Sequence, residues 1–264
     1  MNSHATTQRD RLESEFGCYA LWLAQVVNQL HLDPIPVACR GTGNPELFER
    51  LVRVLGLGRE SRLLDLGSGL GGPGQWARDH SASEVVGAEI MESSVRGARL
   101  LFPSGRSVVA DSGALPFRDG SFDAAWALGA LETIEDKDET LSEVNRVLRP
   151  GARLAVYTFV PVAGEVIDAP TADRFEPRET LLARMERSQL ELVDAREVPE
   201  LAVSPGRWRR ELGFVRAEVE RRHAAEPEFQ RCREQLAKMS ALWRSRAISA
   251  WLFVLQKEGA RGNR

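Results

Sequence analysis

Apolar and polar positions change their spacing along this chain, and the changes mark its elements. Between residues 9 and 30, Leu12, Phe16, Tyr19, Leu23, Val26 and Leu30 recur in steps of three and four, which predicts an amphipathic helix. A Pro- and Gly-marked loop follows. Asn44 and Pro45 then supply a cap and a first-turn proline for a helix reaching about Leu55. From there short apolar runs alternate with helical stretches. Runs at 62–66, 84–89, 107–110, 122–127 and 152–159 read as strands, with helices near 73–80, 91–101 and 136–147 between them. Apolar strands joined by helices predict a mostly parallel sheet covered on both faces. Right-handed crossovers make this an α/β, doubly wound, Rossmann-like fold.

The last third of the chain breaks that rhythm. A helix near 178–188 leads to an apolar run at 190–198, and another run closes the chain at 249–257. These read as the final two of seven strands, the last one antiparallel. About fifty residues separate them, too many for a hairpin. Two helices fit there, striped by Trp208, Leu212, Val215 and Val219 and by Phe229, Cys232, Leu236, Met239 and Trp243. With the N-terminal helix they are expected to form a lid over the carboxyl ends of the strands, where open α/β sheets bind ligands. The expected division is an N-terminal helical lid at 1–43, a core at 44–199, a helical insertion at 200–246, and a final strand with tail at 247–264.

Composition narrows the classes of partner. The 264 residues suffice for one α/β domain with an added subdomain, and the net charge of −3 offers no basic field for nucleic acid. No apolar run reaches the roughly 18 residues that span a bilayer, so no membrane partner is expected. The polar N-terminus lacks a signal-peptide core, and Cys18, Cys39 and Cys232 are scattered without a paired framework, which suggests reduced thiols in a cytoplasmic protein. No His/Cys/Asp cluster has metal-ligand spacing.

The candidate chemistry sits at Leu63–Arg78, where an apolar run ends in Asp65 and a glycine-dense turn opens a helix. Glycine tolerates positive φ and leaves room for a ligand against bare backbone, while the following helix directs free N–H groups at it. Gly67, Gly69 and Gly72 satisfy a G-x-G-x-x-G pattern, which dinucleotide folds share. Asp65 changes the picture: its carboxylate would repel a pyrophosphate and suits an ammonium group, the alternative being a helix-capping or turn-stabilising role. Glu89 ends the second strand, 22 residues after Gly67, and offers two ribose hydroxyls a bidentate acceptor. Asp111 follows the third strand and could accept from the exocyclic amine of adenine, with the Ser112 N–H beside it. An NAD(P)-dependent oxidoreductase would share the glycine turn and the ribose carboxylate, but no Tyr-x-x-x-Lys pair supports hydride chemistry.

In these segments (LLDLGSGLGG, VVGAEI, VADSGALPF, FDAAWALGALE and RVLRPGARL) the chain resembles the class I S-adenosylmethionine-dependent methyltransferases over about residues 60–160. The resemblance implies that Asp65, Gly67, Ser68 and Gly69 hold the methionine moiety of S-adenosylmethionine, with S-adenosyl-L-homocysteine as product. It implies Glu89 on the ribose, Ile90 or Met91 against the adenine, Asp111 and Ser112 on the adenine edge, and Leu128 beside the ligand. The loop GLGGPGQWAR and the spacing of Trp126, Glu132, Asp136 and Lys137 look closest to the branch of sterol, tocopherol, quinone and natural-product methyltransferases. Many members carry a Glu where this chain has Gly129 and a His where it has Thr133, so deprotonation by a His from that strand end is not indicated. Methyl transfer from a sulfonium is an in-line displacement that mainly needs alignment and exclusion of water. Glu132 is the first catalytic candidate, as proton acceptor or as support for a cationic intermediate, and His31 is a candidate base. Arg40 is a candidate for the cofactor carboxylate. The expected acceptor is a small apolar or aromatic metabolite whose reacting atom (carbon, nitrogen or oxygen) stays open. A catalytically silent cofactor-binding protein is the remaining alternative, and the assembly is expected to be a monomer or homodimer.

Overall fold

Seven strands form one sheet in the computed structural model, which describes residues 7–39 and 42–259. They are β1 (Arg62–Leu66), β2 (Glu84–Glu89), β3 (Arg106–Val109), β4 (Phe122–Leu128), β5 (Leu148–Pro161), β6 (Leu190–Glu197) and β7 (Ile248–Lys257). Their order is β3-β2-β1-β4-β5-β7-β6. Strands β1 to β5 pair in parallel, and β7 runs antiparallel to both β5 and β6. The order reverses at β1, which lies between β2 and β4, so a crevice opens outside its carboxyl end.

Period-2 alternation within the strands sorts two cores. Leu64 and Leu66 of β1, Ala125 and Ala127 of β4 and Leu154 and Val156 of β5 face α7 (Lys137–Val147) and α8 (Arg178–Arg187). Leu63, Ala124, Trp126, Ala155 and Tyr157 face the opposite side, with Leu47, Phe48 and Leu51 of α4 (Pro45–Leu55) and Trp76 of α5 (Gly72–Ser81). Burial on both faces explains why these strands read as continuous apolar runs. The sequence-visible caps form as expected: Asn44 accepts from Glu46 N at 3.0 Å, Pro45 opens α4, and Asp136 accepts from Glu139 N at 2.8 Å at the start of α7.

A third core lies over the glycine loop. It joins Tyr19 and Leu23 of α2 (Cys18–Gln29), Val37 and Ala38 of α3 (Ile35–Ala38), Val215 and Val219 of α9 (Gly206–His223), and Phe229 and Cys232 of α10 (Pro227–Arg244) to Leu70. Helices from the start of the chain and from the β6–β7 insertion therefore share one apolar interior. The single N-terminal helix expected from periodicity is interrupted: α1 (Gln8–Leu12) passes through a π-helical turn at Glu13–Gly17 into α2. That turn places Glu13 to accept from Ser93 N at 3.0 Å, tying it to the start of α6 (Glu92–Leu101). Strand β5 begins four residues earlier than the apolar run suggests, because Leu148 pairs with Phe122 ahead of a register shift. No helix among the described residues is long and apolar enough to cross a membrane.

Candidate active site

The loop between β1 and α5 is shaped by its glycines. Gly67 has φ +65°, and a Cβ there would overlap the side chain of Ala130. A Cβ on Gly72 would stand 2.5 Å from the carbonyl carbon of Ala38, so α3 can rest on the start of α5 only if the residue is glycine. Gly69 is different: φ is +53° and nothing lies within 4 Å of where its Cβ would be. That open space belongs to a cavity of about 340 Å³ at the carboxyl ends of β1, β2 and β4, in the size range of small-molecule sites.

Asp65, Gly67, Ser68, Gly69, Glu89, Ile90, Met91, Ser112 and Leu128 all line this cavity. Asp65 has a second duty. It is buried at 3 % exposure, accepts from Trp126 Nε1 at 2.7 Å and from the backbone N–H of Gly74 inside α5. It thus anchors the loop and helix start that the sequence reading left as an alternative role, and offers a ligand its field more than a free oxygen. Burial raises its pKa to about 7, opposed by the Trp126 hydrogen bond and reinforced by the charge of Glu89. Glu89 accepts from Gly69 N at 2.7 Å through one oxygen and from Met91 N at 3.0 Å through the other, so its carboxylate is fixed at the cavity edge.

Other expected residues do not reach the cavity. Asp111 is exposed, and its Oδ1 accepts from Gly113 N at 3.0 Å in a local turn; its neighbours Ala110 and Ser112 are the ones on the wall. His31 sits beyond the end of α2 at φ +52°, exposed to solvent and away from the cavity. Glu132 is buried behind the wall, not on it. One of its oxygens accepts from Thr158 Oγ1 at 2.8 Å and from Phe159 N at 2.6 Å, and the other is buried without a partner among the described residues. Burial raises its pKa despite these donors and the charge of Lys137. Arg40 lies outside the described residues.

The spacing of Trp126, Glu132, Asp136 and Lys137 proves to be a structural frame. Trp126 holds Asp65, Glu132 ties the end of β4 to β5, Asp136 caps α7, and buried Lys137 donates to Ile134 O at 2.9 Å. The other end of the cavity is formed by residues that sequence reasoning missed. Gln235, Leu236 and Met239 face it from α10, Arg216 from α9, and Pro170 and Asp173 from the segment after β5. Gln235 accepts from Thr171 N at 2.7 Å, and Glu132 O accepts from Arg174 N at 2.7 Å, which pin that segment on both sides. Burial, then the charges of Glu132 and Glu15, raise Asp173 to about 7. The only advance signal was the helical spacing of Leu236 and Met239; nothing local marked Asp173 or Arg216.

The described residues contain no group of His, Cys, Asp and Glu that could hold a metal ion. The cavity instead combines a glycine backbone, a fixed carboxylate for a diol, and apolar walls for a planar ring.

Comparison with known proteins points the same way. Residues 64–156 match the family model described as a methyltransferase domain. Methyltransferase GfsG of Streptomyces halstedii is 29% identical over 219 residues, covering 74% of this chain and 79% of that protein. The 27-O-demethylrifamycin SV methyltransferase of Amycolatopsis mediterranei is 32% identical over 178 residues, covering 62% of this chain and 64% of that protein. Among solved structures, the cyclase SpnF superposes with a TM-score of 0.72 at 20% identity, covering 94% of this chain and 97% of that chain. Geranyl diphosphate C-methyltransferase from Streptomyces coelicolor, solved with S-adenosyl-L-homocysteine, gives 0.60 at 18% identity over 80% of this chain and 78% of that one. At these identities the structural likeness establishes the fold.

Proposed function

We propose that the chain is a class I S-adenosylmethionine-dependent methyltransferase of the branch that acts on small molecules, and that it methylates a hydroxyl group of an apolar natural product. The cofactor fits this cavity: the space over Gly69 admits a ligand against bare backbone, Glu89 is fixed where a ribose diol needs an acceptor, and Ile90 and Met91 offer an apolar wall. When bound, S-adenosylmethionine supplies an electrophilic methyl group for in-line displacement. The protein's own part is to hold the donor at one end of the cavity, exclude water and align the acceptor at the other.

The carrying observation is Asp173. It faces a cavity lined in part by apolar side chains (Leu12, Phe16, Phe159, Leu236, Met239), and no hydrogen-bond donor among the described residues engages its carboxylate, although the charges of Arg174 and Lys137 act on it. A carboxyl poised near neutrality in such a place suits removal of a hydroxyl proton as the oxygen attacks. It takes the base role first considered for Glu132, which is buried behind the wall and tied to β5, and for His31, which is exposed away from the cavity. The name of the rifamycin relative, which acts at an oxygen, supports the same choice.

The test is methyl transfer from isotopically labelled S-adenosylmethionine to a panel of hydroxylated polyketides, with O-acetylated counterparts as controls. New O-methyl products confined to the free hydroxyls are expected. Label appearing on carbon or nitrogen would overturn the oxygen assignment. The fold-level likeness to a cyclase favours one second reading, a methyltransferase frame put to another use, and complete absence of label transfer would favour it.

A further inference from the structure

Several polar side chains on the cavity wall spend their hydrogen bonds inside the protein. Gln8 Nε2 donates to Thr133 O at 2.6 Å, Thr133 Oγ1 donates to Ala130 O at 2.9 Å, and Ser112 Oγ pairs with Thr140 Oγ1 at 2.8 Å. Gln235 is committed at one end only. It is buried on α10, and its Oε1 accepts from Thr171 N at 2.7 Å. A backbone N–H needs an acceptor, so this bond fixes which end of the amide is oxygen. The other end, Nε2, carries two N–H donors and has no hydrogen-bond partner among the described residues. The segment that Gln235 holds is also the one that carries Asp173, two residues beyond Thr171. Both side chains line the cavity. Amide donors and a carboxyl acceptor are therefore presented to the same end of one cavity, beside the apolar Leu236 and Met239 of α10.

We propose that Gln235 selects the oxygen pattern of the acceptor: its Nε2 donates to a carbonyl oxygen that lies close to the hydroxyl facing Asp173. The substrate class is then β-hydroxyketones and not isolated alcohols. The inference rests on Asp173 as the base for a hydroxyl acceptor. A ligand that fills this end of the cavity displaces water from it, and a buried donor left without a partner is unfavourable. A lone alcohol would engage Asp173 and strand the amide, whereas a hydroxyketone meets both. A site built to bond a polar group discriminates strongly against the analogue that lacks it. Gln235 moves no proton in this arrangement and acts on specificity alone. A Gln235 that only pinned Thr171 would treat the two kinds of acceptor alike.

The test compares kcat/KM for polyketide β-hydroxyketones and for matched alcohols in which the carbonyl is replaced by a methylene group. Label transfer from S-adenosylmethionine is followed on the wild type, Gln235→Glu and Gln235→Met at pH 8. Gln235→Glu keeps an oxygen for Thr171 N but loses the amide donors, and Gln235→Met loses both. The wild type is expected to favour the hydroxyketones by about tenfold to a hundredfold. In both variants that preference falls to within about threefold, while S-adenosyl-L-homocysteine binds all three proteins alike in calorimetry and certifies the fold. Equal rates on the two acceptors in the wild type, or a full preference kept by Gln235→Glu, would overturn the inference and leave the hydroxyl acceptor standing. No label on the oxygen of either acceptor, in a wild type that binds S-adenosyl-L-homocysteine, would remove the hydroxyl reading itself and this inference with it.

Discussion

Asp65 carries two demands that pull against each other. Its charge favours a cationic ligand, yet its complete burial favours the neutral acid, and Trp126 Nε1 is the donor that keeps the carboxylate tolerable. Trp126→Phe leaves that oxygen unpaired in a filled core, so it is expected to destabilise the protein by about 2–4 kcal/mol in urea unfolding. Asp173 faces the same opposition with no donor to relieve it. Its carboxylate form grows as pH rises through about 7. The rate kcat/KM should therefore climb with pH up to about 7 and level off above it, and Asp173→Asn should abolish that limb. Stability responds in the opposite sense. Both folded pKa values lie above the usual 3.8, so between 3.8 and about 7 the folded state binds more protons than the unfolded one, and stability falls as pH rises through that window. Urea unfolding of Asp173→Asn at pH 5 and pH 8 should show a smaller decline than the wild type. Asp65 and Glu89 were legible because each stands near the carboxyl end of a strand at a fixed distance from the glycines, a rule that misplaced Asp111. Asp173 and Arg216 were not, because tertiary packing alone brings a loop after β5 and a helix before β7 to the same cavity.

Elements explain why some readings were sharp and others blurred. Strand β1 spans the predicted 62–66, since its apolar run is bounded by polar Ser61 and by Gly67. Strand β5 starts early because Arg149, Pro150 and Gly151 read as a break, while the backbone keeps pairing across a bulge. Periodicity predicted one long N-terminal helix but could not reveal the π-turn at Glu13–Gly17, which inserts a residue without disturbing the apolar stripe. The contact of α3 with α5 depends on Gly72. Gly72→Ala would press a methyl group on the backbone of Ala38 and Cys39, which must shift. A loss of about 1–3 kcal/mol in unfolding free energy is expected, together with weaker cofactor binding, because α3 closes one side of the glycine loop.

At the scale of the whole molecule, a doubly wound sheet supplies the donor site and helices from two distant parts of the chain supply its cover. The first was legible because alternating strands and helices leave few topologies, and the switch point follows from the order of strands. The second was legible only as apolar stripes, whose partners are one another and not a pattern in the sequence. The same division separates the two ends of the cavity: the glycine-loop end, proposed for the cofactor, is written in one contiguous third of the chain, and the end proposed for the acceptor is assembled from segments outside it. The most direct measurement is calorimetric titration of the wild type and Glu89→Ala with S-adenosyl-L-homocysteine. One molecule bound per chain is expected, weakened by about tenfold or more in Glu89→Ala, which loses both the acceptor for the ribose and the tie to Gly69 N. A folded wild-type protein that binds neither S-adenosyl-L-homocysteine nor S-adenosylmethionine, or a Glu89→Ala variant that binds as well as the wild type, would contradict the cofactor site described for this cavity.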